Sequence, residues 1–178
     1  MTIAVDVRDL VGHPGASRTV RVAEAIEGLG TELARLREDE PVVADLLVES
    51  VVEGILVSGG AVGPLAETCA RCLKPFEVET RVEVRELFAP GAGPEGDEYP
   101  LPADGRIDVE PMLRDALGLA LPFSPLCRPD CLGLCPRCGG DRNLGECSCR
   151  PEADPRWAGL AGLELPGEPG GRAGTGGH

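Results

Sequence analysis

Eight cysteines in four close pairs carry the chemistry of this chain: Cys69 with Cys72, Cys127 with Cys131, Cys135 with Cys138, and Cys147 with Cys149. Six of them crowd into PLCRPDCLGLCPRCGGDRNLGECSC. Thiolates are the preferred ligands of structural zinc, which takes four in a tetrahedron. CPRCGG is a metal knuckle: Pro136 stiffens the turn, and Gly139 and Gly140 permit the positive φ angles and close backbone approach it needs. Cys147 and Cys149 follow after eight residues, so Cys135, Cys138, Cys147 and Cys149 can close one local site. Cys69 and Cys72 are then left with Cys127 and Cys131. The 54 residues between these two pairs are no obstacle, because loop-closure entropy grows slowly with length. Three pairings of the four pairs can be drawn. The one that keeps a site local is preferred and predicts two zinc ions, each with four cysteine ligands.

Four thiolates leave no open coordination position, so the expected metal is structural rather than catalytic. Iron in a four-cysteine site and redox sensing by zinc release stay open. No other catalytic arrangement is visible. His13 lies in a turn and His178 at the last position, and neither HExxH nor GxSxG is present. The glycines Gly91, Gly93 and Gly96 have dinucleotide-motif spacing, but Pro94, Glu95 and Asp97 oppose both a helix and a pyrophosphate there. The chain is expected not to be an enzyme and to have no small-molecule substrate.

The net charge is -13, and its distribution is uneven. Residues 1–126 hold 11 basic and 23 acidic side chains, whereas 127–150 hold four arginines against Asp130, Asp141 and Glu146. Nucleic-acid surfaces need clustered cations, so the acidic body is a poor RNA surface and suits basic proteins. Arg71, Arg128, Arg137 and Arg142 stand in or beside the cysteine pairs. Their first expected role is to neutralise the anionic tetrathiolate centres. In the alternative, Arg128, Arg137 and Arg142 form a rim that faces RNA phosphates. No stretch approaches the roughly 20 apolar residues of a membrane span, and the first residues lack a signal-peptide core. A cytoplasmic location is expected, where paired cysteines bind metal rather than form disulfides.

The elements that must position these residues form an α+β domain. With three Phe, one Tyr and one Trp, its core must be aliphatic. TIAVDVRDL reads as an opening strand and HPGASR as a turn; RVAEAIEGL and TELARLREDE are ambiguous. PVVADLLVESVVEGILVSGG reads as a strand ending in a turn at Ser58, Gly59 and Gly60, with AVGPLAETC returning. The clearest element is FEVETRVEVRELF. Phe76, Val78, Thr80, Val82, Val84 and Phe88 alternate with Glu77, Glu79, Arg81, Glu83 and Arg85, the pattern of a half-wet antiparallel strand. Glu86 and Leu87 break that pattern and suggest a bulge or an edge. Asp108 reads as the N-cap of one main helix near 109–121, closed by Pro122. The expected organisation is an acidic β-rich domain over 1–126, a Cys-rich zinc-ribbon-like segment over 127–150 packed on it, and a largely disordered tail over 151–178.

Two blocks carry a family resemblance: CARCLKPF at Cys69–Phe76, and LALPFSPLC leading into DCLGLCPRCGGDRNLGECSC. Over about residues 1–150 the sequence resembles the large ribosomal RNA subunit accumulation proteins, the YceD type. One departure is GGDRNLGEC, where that family tends to have a GxNLN-like run. The resemblance implies a ribosome biogenesis role, supporting 23S rRNA accumulation and large-subunit assembly. The partners it implies are large-subunit rRNA or its precursor particle, and a small basic large-subunit ribosomal protein. The alternative is a zinc-ribbon interaction module in transcription or regulation.

Overall fold

A computed structural model describes residues 2–92, 98–149 and 155–160. Its centre is an antiparallel sheet. Strand β2 (Ser17–Glu24) pairs with β4 (Val42–Ser50), β4 with β5 (Ile55–Thr68), and β5 with β6 (Pro75–Ala89). Short β3 (Ala34–Leu36) pairs with β5 beyond the end of β4. Two-residue β7 (Tyr99–Pro100) adds to β6 in parallel at Phe88 and Ala89. Outside this sheet, β1 (Ala4–Asp6) pairs with β8 (Arg106–Asp108). One α-helix, α1 (Glu110–Ala120), lies against β6, and a 3-10 turn covers Pro155–Leu160.

The β5–β6 hairpin positions everything that follows. Its register runs unbroken from Ile55 opposite Phe88 to Thr68 opposite Pro75. The expected bulge at Glu86 and Leu87 is therefore absent: both keep their partners, Val57 and Leu56. The period-two reading of this strand holds toward its end, where Val84 and Phe88 are buried; Phe76, Thr80 and Val82 are half-buried and Val78 is exposed, as are Glu77, Glu79, Arg81, Glu83 and Arg85 on the other face.

One expected turn is corrected. Ser58, Gly59 and Gly60 lie inside β5, and the reversal falls at 51–54, where the Val51 N–H donates to the Gly54 carbonyl at 2.9 Å. Gly59 serves close approach instead. Its φ is +150°, and a Cβ there would stand 2.2 Å from the Asp45 carbonyl oxygen of β4. AVGPLAETC is accordingly the second half of β5 rather than a separate returning strand.

The helix is one residue shorter at each end than expected. Val109 occupies the cap position, and Asp108 acts from just before it, accepting the Glu110 N–H at 3.1 Å and the Ile3 N–H at 3.0 Å. This second bond ties the helix start to the N-terminal strand. Met112, Leu113 and Leu117 are buried from the helix, and Leu46, Ile55 and Ile107 from the strands. The core is aliphatic, with Phe88 and Tyr99 stacked at 5.3 Å between ring centroids as its aromatic contact. Among the described residues no helix is long and apolar enough to cross a membrane. Of the three spaced glycines, Gly93 and Gly96 lie outside the described residues, as does the tail beyond Leu160.

Candidate metal centres

The structure brings the eight thiols into two groups of four, Cys69 with Cys72, Cys127 and Cys131, and Cys135 with Cys138, Cys147 and Cys149. This is the partition preferred from spacing. Within each group all sulfurs lie within 4.8 Å of one another. A Zn–S bond of about 2.3 Å makes the edge of a ZnS4 tetrahedron about 3.8 Å. Cys69 Sγ lies 3.8 Å from Cys131 Sγ, and Cys72 Sγ 3.7 Å from Cys127 Sγ. These are tetrahedron-edge distances, far longer than a disulfide bond of about 2.05 Å.

In the first centre, Cys69 and Cys72 occupy the turn of the β5–β6 hairpin. The Cys69 N–H donates to the Lys74 carbonyl at 2.9 Å, and the Leu73 N–H to the Cys69 carbonyl at 2.9 Å. Leu73 takes φ +59°, alone among the described non-glycine residues in being positive. Cys127 and Cys131 arrive from the segment after α1. It is stitched to the turn by Ala70 N–H to the Pro125 carbonyl at 2.8 Å, and by Arg71 Nη1 to the Cys131 carbonyl at 2.9 Å. Cys69, Cys72 and Cys131 are buried beside half-buried Phe76 and Leu126, while Cys127 is exposed.

The second centre is local. The Gly139 N–H donates to the Cys135 carbonyl at 2.8 Å, and the Cys135 N–H to the Gly140 carbonyl at 2.9 Å, which closes the expected knuckle. Gly139 has φ +72°, and a Cβ on Gly140 would come 3.0 Å from the Glu146 carbonyl oxygen. The Cys-rich segment holds a single isolated bridge, Leu134 opposite Asp141, rather than paired strands of its own.

Electrostatics show what the thiol groups need. Burial pushes the Cys69 thiol up, but backbone N–H groups of Cys127, Cys72 and Arg71 outweigh it and bring the pKa to about 6. The N–H groups of Arg137 and Cys138 hold Cys135 at about 6 as well. Cys127, although the residue is exposed as a whole, is pushed to about 12 by desolvation of its sulfur and by the neighbouring thiols of Cys69 and Cys72. Cys149 is pushed to about 12 by Cys138 and Cys147. One thiol in each group thus ionises readily, while its neighbours Cys72 and Cys127 in the first group and Cys147 and Cys149 in the second are held above the ordinary thiol value. Four adjacent thiolates need a cation, and an all-sulfur donor set of this size suits a soft or borderline divalent ion.

Three residues that sequence reasoning did not single out join the two centres. Lys74 Nζ, on the hairpin turn, lies 2.7 Å from Asp141 Oδ2, a carboxylate with only 7% of its side chain accessible. Lys74 first, and then Asn143, hold the Asp141 carboxyl down at about 2. Asn143 Oδ1 accepts from the Leu132 N–H and from Arg128 Nη2, both at 2.8 Å. Its Nδ2 donates to Asp141 Oδ1 at 2.8 Å and toward Cys131 Sγ at 3.6 Å. The signal available in sequence was Asp-x-Asn at Asp141 and Asn143, a turn-forming pair beside the knuckle glycines. Arg128, Arg137 and Arg142 are all exposed, and Arg128 meets Asn143 and lies 3.4 Å from Asp130. Arg137 and Arg142 are exposed and line, with Leu132 and Pro136, a groove of about 340 Å³ over the second centre.

The fold and its sulfur groups define an α+β protein with two adjacent four-cysteine centres, one clamping a β-hairpin and one closing a local loop. The chain belongs to the YceD family, the large ribosomal RNA subunit accumulation proteins, whose family model matches residues 57–164. Uncharacterized proteins of Mycobacterium bovis and Mycobacterium tuberculosis are each 40% identical over 164 residues, covering 89% of this chain and 79% of theirs. A chloroplastic Zea mays protein, named large ribosomal RNA subunit accumulation protein YCED homolog 1, is 38% identical over 50 residues, covering 28% of this chain and 17% of its own. No solved structure matches.

Proposed function

We propose that this protein is a non-enzymatic assembly factor of the large ribosomal subunit, supporting 23S rRNA accumulation in the cytoplasm with one structural zinc ion in each cysteine centre. The observation that carries this reading is the extent of the family match. Residues 57–164 contain the β5–β6 hairpin from Val57 onward, α1 and all eight cysteines. What the family shares is therefore the metal-clamped part of the molecule. The acidic body favours contact with a small basic ribosomal protein, and exposed Arg137 and Arg142 form the rim that approaches rRNA phosphates. Zinc would hold the segment that presents them and take no part in bond chemistry.

Crosslinking followed by purification from cells tests the partners. Large-subunit precursor rRNA should be recovered, and Arg137→Ser with Arg142→Ser should weaken its association and flatten its salt dependence. Unchanged RNA recovery by that variant would refute the RNA contact. Recovery of RNA polymerase instead of precursor particles would favour the regulatory module. Native mass spectrometry should find two zinc ions per chain, and Cys135→Ser should lose one of them with the sheet intact. Simultaneous loss of both would refute separate centres.

A further inference from the structure

Strand β6 has an outer edge that nothing covers among the described residues between Pro75 and Leu87. Which backbone groups it offers follows from the hairpin register. The Cys69 N–H bonds the Lys74 carbonyl, so the ladder of β6 to β5 runs through the even-numbered residues of β6. The odd-numbered residues turn their N–H and C=O outward, as Ala89 does when its carbonyl accepts the Leu101 N–H at 3.0 Å. The open groups therefore belong to Glu77, Glu79, Arg81, Glu83 and Arg85, all exposed. Both ends are stopped: Pro75 has no N–H to donate, and β7 occupies the edge from Phe88.

An open edge is a template for another strand, and alternating charge restricts which strand fits. A uniformly basic strand would meet Arg81 and Arg85. A second copy of β6, laid antiparallel, can be tested register by register. With Glu79 opposite Arg85 and Arg81 opposite Glu83, the two-fold axis passes Val82 and every charge from Glu79 to Arg85 faces its opposite, four pairs in all. Moving the copy by two residues in one direction sets Glu79 against Glu83 and Arg81 against itself. Moving it in the other sets Arg81 against Arg85 and Glu83 against itself. Like charges directly opposite destabilise a strand pair. On the core side, the edge adjoins a groove of about 440 Å³ between β6 and α1, lined by Val82, Val84, Tyr99, Met112 and Ala116. Leu119, on its rim, is 90% exposed.

The geometry points to a homodimer in which two β6 edges join antiparallel about Val82, making one continuous sheet across both copies. The ion pairs select the register, and the groove with Leu119 supplies apolar area beside the axis.

A charge-swap series on the full chain tests this, read by sedimentation velocity at about 0.15 M salt, where long-range repulsion is screened within about 8 Å. The wild type should shift from 18.6 kDa to twice that mass as concentration rises. Arg85→Glu places Glu79 of each copy against a glutamate, and Glu79→Arg places arginine against arginine. Each should raise the dimer Kd at least about tenfold. The double variant Glu79→Arg with Arg85→Glu should dimerise like wild type. So should an equimolar mixture of the two single variants, because each copy then supplies what the other lacks. Both positions are exposed, so circular dichroism should be unchanged. A chain that stays monomeric at high concentration overturns the inference. So does a dimer indifferent to the single swaps, or one that neither the double variant nor the mixture restores.

Discussion

Replacing Asn143 probes the junction between the two centres. Asn143→Ala removes four side-chain interactions, but the Leu132 N–H and the Arg128 guanidinium are exposed and recover water. The uncompensated losses are the donations to Asp141 Oδ1 and toward Cys131 Sγ, whose residues are buried. At roughly 0.5–1.5 kcal/mol per bond, these amount to about 1–3 kcal/mol. An outer-shell partner of a metal ligand typically carries 10–100-fold in metal affinity, about 1.4–2.7 kcal/mol, so two independent routes reach one magnitude. Asn143→Asp is more severe although it is smaller in shape change. It keeps both acceptor roles but sets a carboxylate where Nδ2 now lies 2.8 Å from Asp141 Oδ1, beside an anionic sulfur. Competition with a chromophoric chelator on the zinc-loaded chain should therefore rank affinity of the hairpin centre as wild type, then Asn143→Ala, then Asn143→Asp. The Cys135–Cys149 centre should be affected less. Equal affinity in Asn143→Asp and wild type, or selective loss from the local centre, would refute the role of Asn143 as a donor to the hairpin centre.

Gly59→Ala should destabilise the sheet by about 1–3 kcal/mol in a denaturant titration, because its Cβ would meet the Asp45 carbonyl at 2.2 Å. Glu67 is buried with no ion pair among the described residues, and burial raises its carboxyl pKa above the usual 4.5. A raised carboxylate pKa means stability is retained at low pH and lost as pH rises from 4.5 through the folded value. Glu67→Gln should thus be more stable than wild type at pH 7, with the gap closing below about pH 4 in parallel thermal melts. Chelating the metal should raise amide exchange at the Thr68–Phe76 turn and over 124–134, while Leu46–Val48 and the even-numbered residues Val84, Glu86 and Phe88, whose N–H groups face β5, stay protected; loss of protection everywhere would show that the metal holds the whole fold.

The sequence revealed elements whose side chains alternate in kind. β6 was legible because Glu and Arg mark its wet face at every second position. β5 was not, because its outer face carries small residues such as Ser58, Gly60 and Ala66, and glycines inside it imitate a turn. The helix was legible from Asp108 and Pro122, with a one-residue error at either end. The thiol partition followed from loop lengths. The junction through Lys74, Asp141 and Asn143 did not, because it depends on the hairpin turn lying against the loop of the second centre. Spacing along the chain carries no record of that approach.

The position of the first centre follows from where the sheet runs out of cover. β4 accompanies β5 only as far as Val62, and beyond it the hairpin is flanked by three-residue β3. Along β6, no residue before Val84 is buried, and Val78 is 40% exposed. The main core reaches Leu65 of β5 and Leu36 of β3, and the ribbon end beyond them, with little apolar cover, is marginal in water. At that end Cys69 and Cys72 sit in the turn, facing Cys127 and Cys131 from the chain that leaves α1. A metal bound there would reinforce that end, because its ligand bonds would join the overhanging hairpin to the segment carrying the second centre. Arg71, Lys74 and Asn143 extend the same clamp with hydrogen bonds and an ion pair. The charge-alternating edge of β6 and the loop carrying Arg137 and Arg142 would thereby be joined, so their relative placement depends on four sulfurs at the hairpin turn.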